Sequence, residues 1–305
     1  MNQLYLDTAR MLVQVAPFVF TDDALALKGG TAINLFTRDM PRLSVDLDLV
    51  FTDPMVPREQ ALRRINDAIR QASERLSRSG FQTRATTAAG AGETKLLVRR
   101  GSIEVKIEVN FVLRGTVRPV RLASLTPRAR ETLLADLEIP VASLEDLYGG
   151  KLVAALDRQH PRDLFDVLQL FENEGITNGI RRAFVVYLAS HTRPVHEVLY
   201  PRLRDVTRDY ENNFVGMTTA PVTLEELITT RERMLVQLHR DLDTNERQFL
   251  LSLVTLAPDW TLLDIPNVDQ LPAIRWKLQN LEHLQRSNPR KFQEQSRSLT
   301  QHLMQ

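Results

Sequence analysis

The chain has 305 residues, of which 43% are hydrophobic and 25% charged, with a formal net charge of +1 and no cysteine. That is enough apolar material for one large or two moderate domains, and the charged fraction is that of a globular protein rather than a disordered one. Disulfides, thiolate metal sites and cysteine nucleophiles are excluded, and the near-neutral balance leaves room only for a local electrostatic grip on nucleic acid.

The first segment, MNQLYLDTARMLVQVAPFVF, carries Asp7 and Arg10 inside its apolar pattern. It has no basic start, no continuous apolar stretch and no small-residue cleavage site, so residues 3–15 are expected to form an amphipathic helix and not a signal peptide. No segment holds 18 uninterrupted apolar residues, so no membrane span is expected, and the cytoplasm is the expected location. Lys28-Gly29-Gly30-Thr31 runs into Ala32-Ile33-Asn34-Leu35-Phe36, a tight turn at a helix start. Ser44–Phe51 alternates polar and apolar residues, as a half-buried strand does, and Pro54 and Pro57 end it. A solvated helix over 58–78, stopped by Gly80, comes next. Candidate strands are Phe81–Arg84, Lys95–Arg99, Ile103–Phe111 and Val117–Leu122, with Gly90, Gly92, Gly101 and Gly115 in the turns. After Leu144 the pattern becomes helical, over 144–157, 161–173, 178–190, 222–241, 244–256, 268–284 and 289–304. The expected architecture is α+β, a mixed sheet domain over residues 1–140 followed by a helical bundle over 141–305. There is no internal repeat or low-complexity tract.

Two aspartates stand in the strand at 44–51. Asp is depleted in strands, and a period of two puts Asp46 and Asp48 on one face, roughly 7 Å apart, with Val45, Leu47 and Leu49 on the other. Two neighbouring carboxylates repel and raise each other's pKa. A divalent cation removes that repulsion, and hard oxygen ligands on a rigid element suit Mg²⁺. Taken alone, the pair also fits an exposed sheet face with two solvated acids. Glu104, Lys106, Glu108 and Asn110 form the polar face of a second alternating strand. If this strand pairs near the first, Glu108 becomes a third acid beside Asp46 and Asp48, and convergent carboxylates can hold metals for in-line phosphoryl displacement. The competing role for Glu108 is a cross-strand salt bridge to Lys or Arg.

Gly29-Gly30-Thr31 offers a close backbone approach, free N–H groups at a helix start and a hydroxyl donor, a combination suited to phosphates. A glycine pair is by itself most often a plain turn. It is neither a Walker loop nor a Rossmann fingerprint.

GG-T, a short helix, and then Arg42-Leu43-Ser44-Val45-Asp46-Leu47-Asp48 resembles the signature of the DNA polymerase-β-like nucleotidyltransferases. The wording is similar to the AbiEii/AbiGii toxin branch. So are Lys106-Ile107-Glu108-Val109-Asn110, Gly150-Lys151-Leu152 with Arg158-Gln159-His160-Pro161-Arg162-Asp163-Leu164-Phe165-Asp166, and Leu271-Pro272-Ala273-Ile274-Arg275-Trp276-Lys277-Leu278. The resemblance covers most of the chain in order. It implies a polymerase-β-like nucleotidyltransferase fold whose helical domain completes the active-site cleft. It implies a toxin of a toxin–antitoxin or phage-defence system that moves a nucleoside monophosphate from an NTP, with Mg²⁺, onto an acceptor such as the tRNA 3′ end. A cognate antitoxin, often a winged-helix repressor, is the implied partner. Carried onto this chain, Asp46, Asp48 and Glu108 bind metal and are catalytic with Lys151 and Asp163. Gly29, Gly30, Thr31, Arg42, Lys151 and Asp166 hold the nucleotide. The 15 residues from Thr31 to Asp46 make a longer gap than in compact transferases, which predicts an extended helix there.

The 144–157 helix contains Gly149 and Gly150, each costing about 1 kcal/mol against alanine. A close approach by another backbone or by a phosphate explains such tolerance. Lys151 suits a triphosphate as a point charge or is simply solvated. Asp163 and Asp166 share a helix face. Asp163 either orients Lys151 or Arg162 or complements the dipole at a helix start opened by Pro161. Residues 99–130 hold eight Lys/Arg against Glu104 and Glu108, and Arg181, Arg182, Arg193, Arg202, Arg204 and Arg208 form a second basic region. Either can track phosphates or be a salt-bridged face. At 6% aromatic content, shape-led recognition of a structured RNA fits better than base stacking. His160, His191 and His196 are not spaced as a metal set. Two other classes remain: an NTP-binding module that acts by binding, and a transferase that modifies a protein or small molecule.

Overall fold

The computed structural model describes residues 3–21, 24–87 and 93–304. Gly90 and Gly92 lie outside them. The chain divides into two units, one of residues 1–147 with 215–221 and the other of 148–214 with 222–305.

The first unit is a seven-stranded mixed sheet in the order β3-β4-β5-β2-β1-β7-β6. The strands are β1 (Leu25–Lys28), β2 (Asp46–Phe51), β3 (Gln82–Thr87), β4 (Glu93–Arg100), β5 (Ile103–Asn110), β6 (Arg121–Ser124) and β7 (Glu138–Val141). Helices α1 (Gln3–Val19), α2 (Gly29–Phe36), α3 (Arg58–Arg78) and α4 (Pro127–Leu133) accompany it. Strand β2 is the middle strand. It pairs antiparallel with β1 and parallel with β5. Alternation makes one face the core: Leu47, Leu49, Leu96, Val98, Val105, Ile107 and Val109 are all buried. Helices α1 and α3 pack in this unit against β5 and β3 respectively. The other face carries Asp46, Asp48, Lys106 and Glu108.

Three local expectations change. Helix α2 stops at Phe36 rather than extending toward Asp46. The chain turns instead through Met40, whose φ is 54°. It is then held by the late segment of the same unit: Leu43 N donates to Met217 O at 2.9 Å and Thr219 N to Pro41 O at 2.9 Å. The strand expected at 117–122 forms at Arg121–Ser124. The buried Asp146 carboxylate captures Val117 N at 2.7 Å and Arg118 N at 2.9 Å, which removes those donors from a ladder. Strands β1 and β7 were not expected, being only four residues each.

The second unit is helical. It holds most of α5 (Leu144–Arg158) and all of α6 (Pro161–Glu172), α7 (Asn178–Ser190), α8 (Val195–Leu199), α9 (Thr207–Asn213), α10 (Leu224–Asp241), α11 (Thr244–Val254), α12 (Pro272–Ser287) and α13 (Pro289–Leu303). Local signals set the ends. Thr223 and Asp243 each form a reciprocal capping box with a Glu three residues on. Pro161, Pro272 and Pro289 each open a helix where the missing N–H costs nothing. Gly149 is explained by a backbone: a methyl there would lie 2.8 Å from Ala183 C and Phe184 N of α7. No helix of the described residues is long and apolar enough to cross a membrane.

Candidate active site

The ladder between β2 and β5 sets the centre of the site. Asp46 is partnered with Lys106 and Asp48 with Glu108. On the far side of β5, Glu108 is partnered with Lys95, and on the far side of β2, Asp48 is partnered with Lys28. Residues paired in register share a face, so the sheet brings three acids and three lysines from four strands onto one polar surface.

The acids differ in their surroundings. Asp46 and Asp48 are partly exposed. Asp48 reaches the start of α2, where a methyl on Gly29 would lie 2.5 Å from its Oδ2. Gly29 has φ +74°, a left-handed conformation that glycine adopts without penalty. A carboxylate at a helix N-terminus is favoured by the dipole. Glu108 instead receives two ammonium groups, with Lys95 Nζ 2.7 Å from Oε1 and Lys106 Nζ 3.4 Å from Oε2. Partial burial alone would raise its pKa, but the two lysines outweigh burial and hold the carboxyl below its usual range. The cross-strand salt bridge is therefore made. Among the described residues no three His, Asp or Glu side chains converge as a metal-holding group.

The donor set still suits a divalent cation at the acid pair: two hard carboxylates on one strand face, partly open to solvent. Glu108, held by Lys95 and Lys106, stands outside that set.

The other expected nucleotide residues of this unit lie beneath the turn. Thr31 is buried, its Oγ1 2.8 Å from Ser44 Oγ and 2.5 Å from the Asp46 carbonyl oxygen. It ties α2 to β2 and turns its hydroxyl inward. Arg42 is buried too and donates from Nη1 to Leu43 O at 2.9 Å. A methyl on Gly30 would come within 2.8 Å of Arg42 Nη2, so the glycine lets the helix start lie on the guanidinium.

In the second unit, Lys151, Asp163 and Asp166 do meet. Lys151 Nζ lies 2.7 Å from Asp163 Oδ1 and 3.0 Å from Asp166 Oδ2, and Arg158 Nη2 lies 2.9 Å from Asp163 Oδ2. Lys151, Asp163 and Asp166 are buried. Burial pushes the Asp163 pKa up, but Lys151 and Arg158 bring it below its ordinary value. Two cations and two anions balance, as a buried ionic group requires.

The basic regions are largely spent within the chain. Arg181 pairs with Glu246 and Asp243, Arg182 with Asp264, and Arg193 with Asp157 and Glu197. Arg99 pairs with Glu104, Arg100 lies over the Phe81 ring and Arg114 is buried. Arg202, Arg204 and Arg208 are exposed. His160 caps α6 by accepting from Arg162 N at 3.1 Å. Sequence reasoning did not single out Lys95. A lysine in an alternating strand reads as solvated, and only the register reveals it beside Glu108.

The family profile described as "Nucleotidyl transferase AbiEii toxin, Type IV TA system" matches residues 10–280. Among solved structures, the chain is similar to MenT4, a nucleotidyltransferase toxin from Mycobacterium tuberculosis H37Rv. That likeness has 19% identity and a TM-score of 0.58 over 90% of this chain and 93% of that one, and it shows the fold. No curated protein matches. With the profile spanning most of its length, the chain belongs to the AbiEii family: it is a nucleotidyltransferase toxin of a type IV toxin–antitoxin system, with an NTP as substrate and a cognate antitoxin.

Proposed function

We propose that the chain transfers a nucleoside monophosphate from an NTP to an RNA hydroxyl, the 3′ end of tRNA, in a divalent-cation-dependent reaction in the cytoplasm. The observation that carries this is the parallel register of β2 and β5, which sets Glu108 beside Asp48 on the face that also bears Asp46. Asp46 and Asp48 are assigned as the residues that hold Mg²⁺, with Glu108 as third acid. When bound, the cation neutralises phosphate charge during an in-line displacement. Gly29 and Gly30 give the phosphates access to backbone N–H groups at the start of α2. Thr31 and Arg42 hold that start against β2. The acceptor oxygen forms a bond to the α-phosphorus, the bond from that phosphorus to the bridging oxygen breaks, and pyrophosphate leaves. Glu108, ionised, is the candidate acceptor of the hydroxyl proton. Lys151, Asp163 and Asp166 are assigned as the supporting charged block. A phosphate that used Lys151 would have to displace a buried aspartate. Catalysis on this scheme is mostly positioning and charge neutralisation. The antitoxin is proposed to be a winged-helix repressor.

The test is to incubate the protein with each α-labelled NTP, Mg²⁺ and total cell RNA and protein. Label at RNA 3′ ends is expected. Label on protein or on a small molecule instead identifies a different acceptor, and NTP binding without any labelled product identifies a toxin that acts by binding.

A further inference from the structure

We propose that Lys95 and Lys106 are the side chains that meet the triphosphate of the incoming NTP, and that Glu108 is the internal anion holding them in place until it arrives. The proposal deepens the assignment of the β2–β5 face as the nucleotide site and rests on it.

Lys95 and Lys106 come from neighbouring strands, yet both ammonium groups converge on one carboxylate, at 2.7 Å and 3.4 Å. Two cations sharing one anion is an arrangement that a polyanion can relieve. Each lysine remains accessible, with 39% and 38% of its side chain exposed against 22% for Glu108. Ion pairs this open to water are weak and exchange readily. The lysines also flank the acids: Lys106 is partnered with Asp46 across the ladder, and Glu108 separates Lys95 from Asp48 in the same row. A triphosphate over this row would meet cationic groups of fixed register, each a compact point charge on a long stem able to swing from Glu108 to a phosphate oxygen. Once the lysines have moved, Glu108 is left as an open carboxylate next to Asp48. Nucleotide entry and exposure of the third acid are thereby one event, and the acid is withheld while no NTP is present.

Calorimetric titration of inorganic tripolyphosphate into the full-length chain tests this, in EDTA at low ionic strength so that no carboxylate-bound cation contributes. The wild type is expected to bind. The double variant Lys95→Met/Lys106→Met should bind roughly tenfold more weakly or worse. Glu108→Gln, which removes the competing anion, should bind roughly threefold more tightly, a gain that misfolding cannot produce. Unchanged or weaker binding by Glu108→Gln would overturn the proposal, as would wild-type affinity in the double variant or no binding by the wild type. A short RNA strand as second titrant separates acceptor from nucleotide. Loss of RNA binding with tripolyphosphate binding intact would give the lysines to the acceptor and overturn the proposal. Label transfer in Mg²⁺ tests the site assignment separately.

Discussion

Glu108 lies beside Asp48 in parallel register, yet its carboxylate turns to Lys95, 2.7 Å away across the neighbouring strand. Strand pairing thus places Glu108 beside Asp48, and side-chain electrostatics draws its carboxylate to Lys95 and Lys106.

Gly29→Ala forces a left-handed residue to carry a Cβ 2.5 Å from Asp48 Oδ2. Backbone strain alone costs about 1–2 kcal/mol, and Asp48 must move. Chemical denaturation should show that loss, and label transfer should fall more than stability does. Wild-type activity would mean that the Asp48 position is not critical.

Gly149→Ala tests the close approach of α5 and α7. Helix propensity favours alanine by about 1 kcal/mol. The new methyl meets Ala183 C and Phe184 N at 2.8 Å, and overpacking of this kind costs about 1–3 kcal/mol. A net decrease in stability is expected. An increase would show that α7 shifts freely.

Asp163→Asn leaves Lys151 and Arg158 short of an anion in a buried cluster, and breaking such a pair costs about 3–5 kcal/mol. The pH dependence has a definite sign. The folded-state pKa of Asp163 lies below its ordinary 3.8, so its contribution is present above that value and is lost as pH falls through the folded pKa. Acid unfolding of the wild type should steepen below about pH 4, and the variant should lack that component. Parallel acid-unfolding curves would contradict the assignment.

Lys277 is buried and donates to His191 O at 2.8 Å and Arg193 O at 2.6 Å. Burial lowers its pKa from 10.5 to about 8. Between those values the unfolded chain holds a proton that the folded chain has released, so stability rises with pH across the interval. Relative to Lys277→Met, the wild type should gain on the order of 3 kcal/mol between pH 8 and 10.5. Identical pH profiles for the two proteins would contradict this.

How much of this was legible in the sequence depends on the kind of signal. Asp46 and Asp48 could be placed on one face because the side-chain period of a strand is two, and Glu108 because Glu104–Asn110 alternates as cleanly. Helix spacing put Asp163 and Asp166 on one face and left contact with Lys151 as one option among several; that both acids meet a buried Lys151 emerged only in the fold. Strand β1 was hidden because Leu25, Ala26 and Leu27 are all buried and do not alternate. The inward turn of Thr31 was hidden because the Asp46 carbonyl and Ser44, which compete for its hydroxyl, become neighbours only in the fold. Nothing local announced that residues 217–219 would hold 41–43, a contact across more than 170 positions.

The most direct test of the central claim is label transfer from an α-labelled NTP to RNA by Asp46→Asn, with folding checked by circular dichroism and thermal denaturation. Asp46 is partly exposed on the polar sheet face. The account predicts a folded variant of near wild-type stability with transfer abolished. A folded Asp46→Asn that transfers label at the wild-type rate would contradict it.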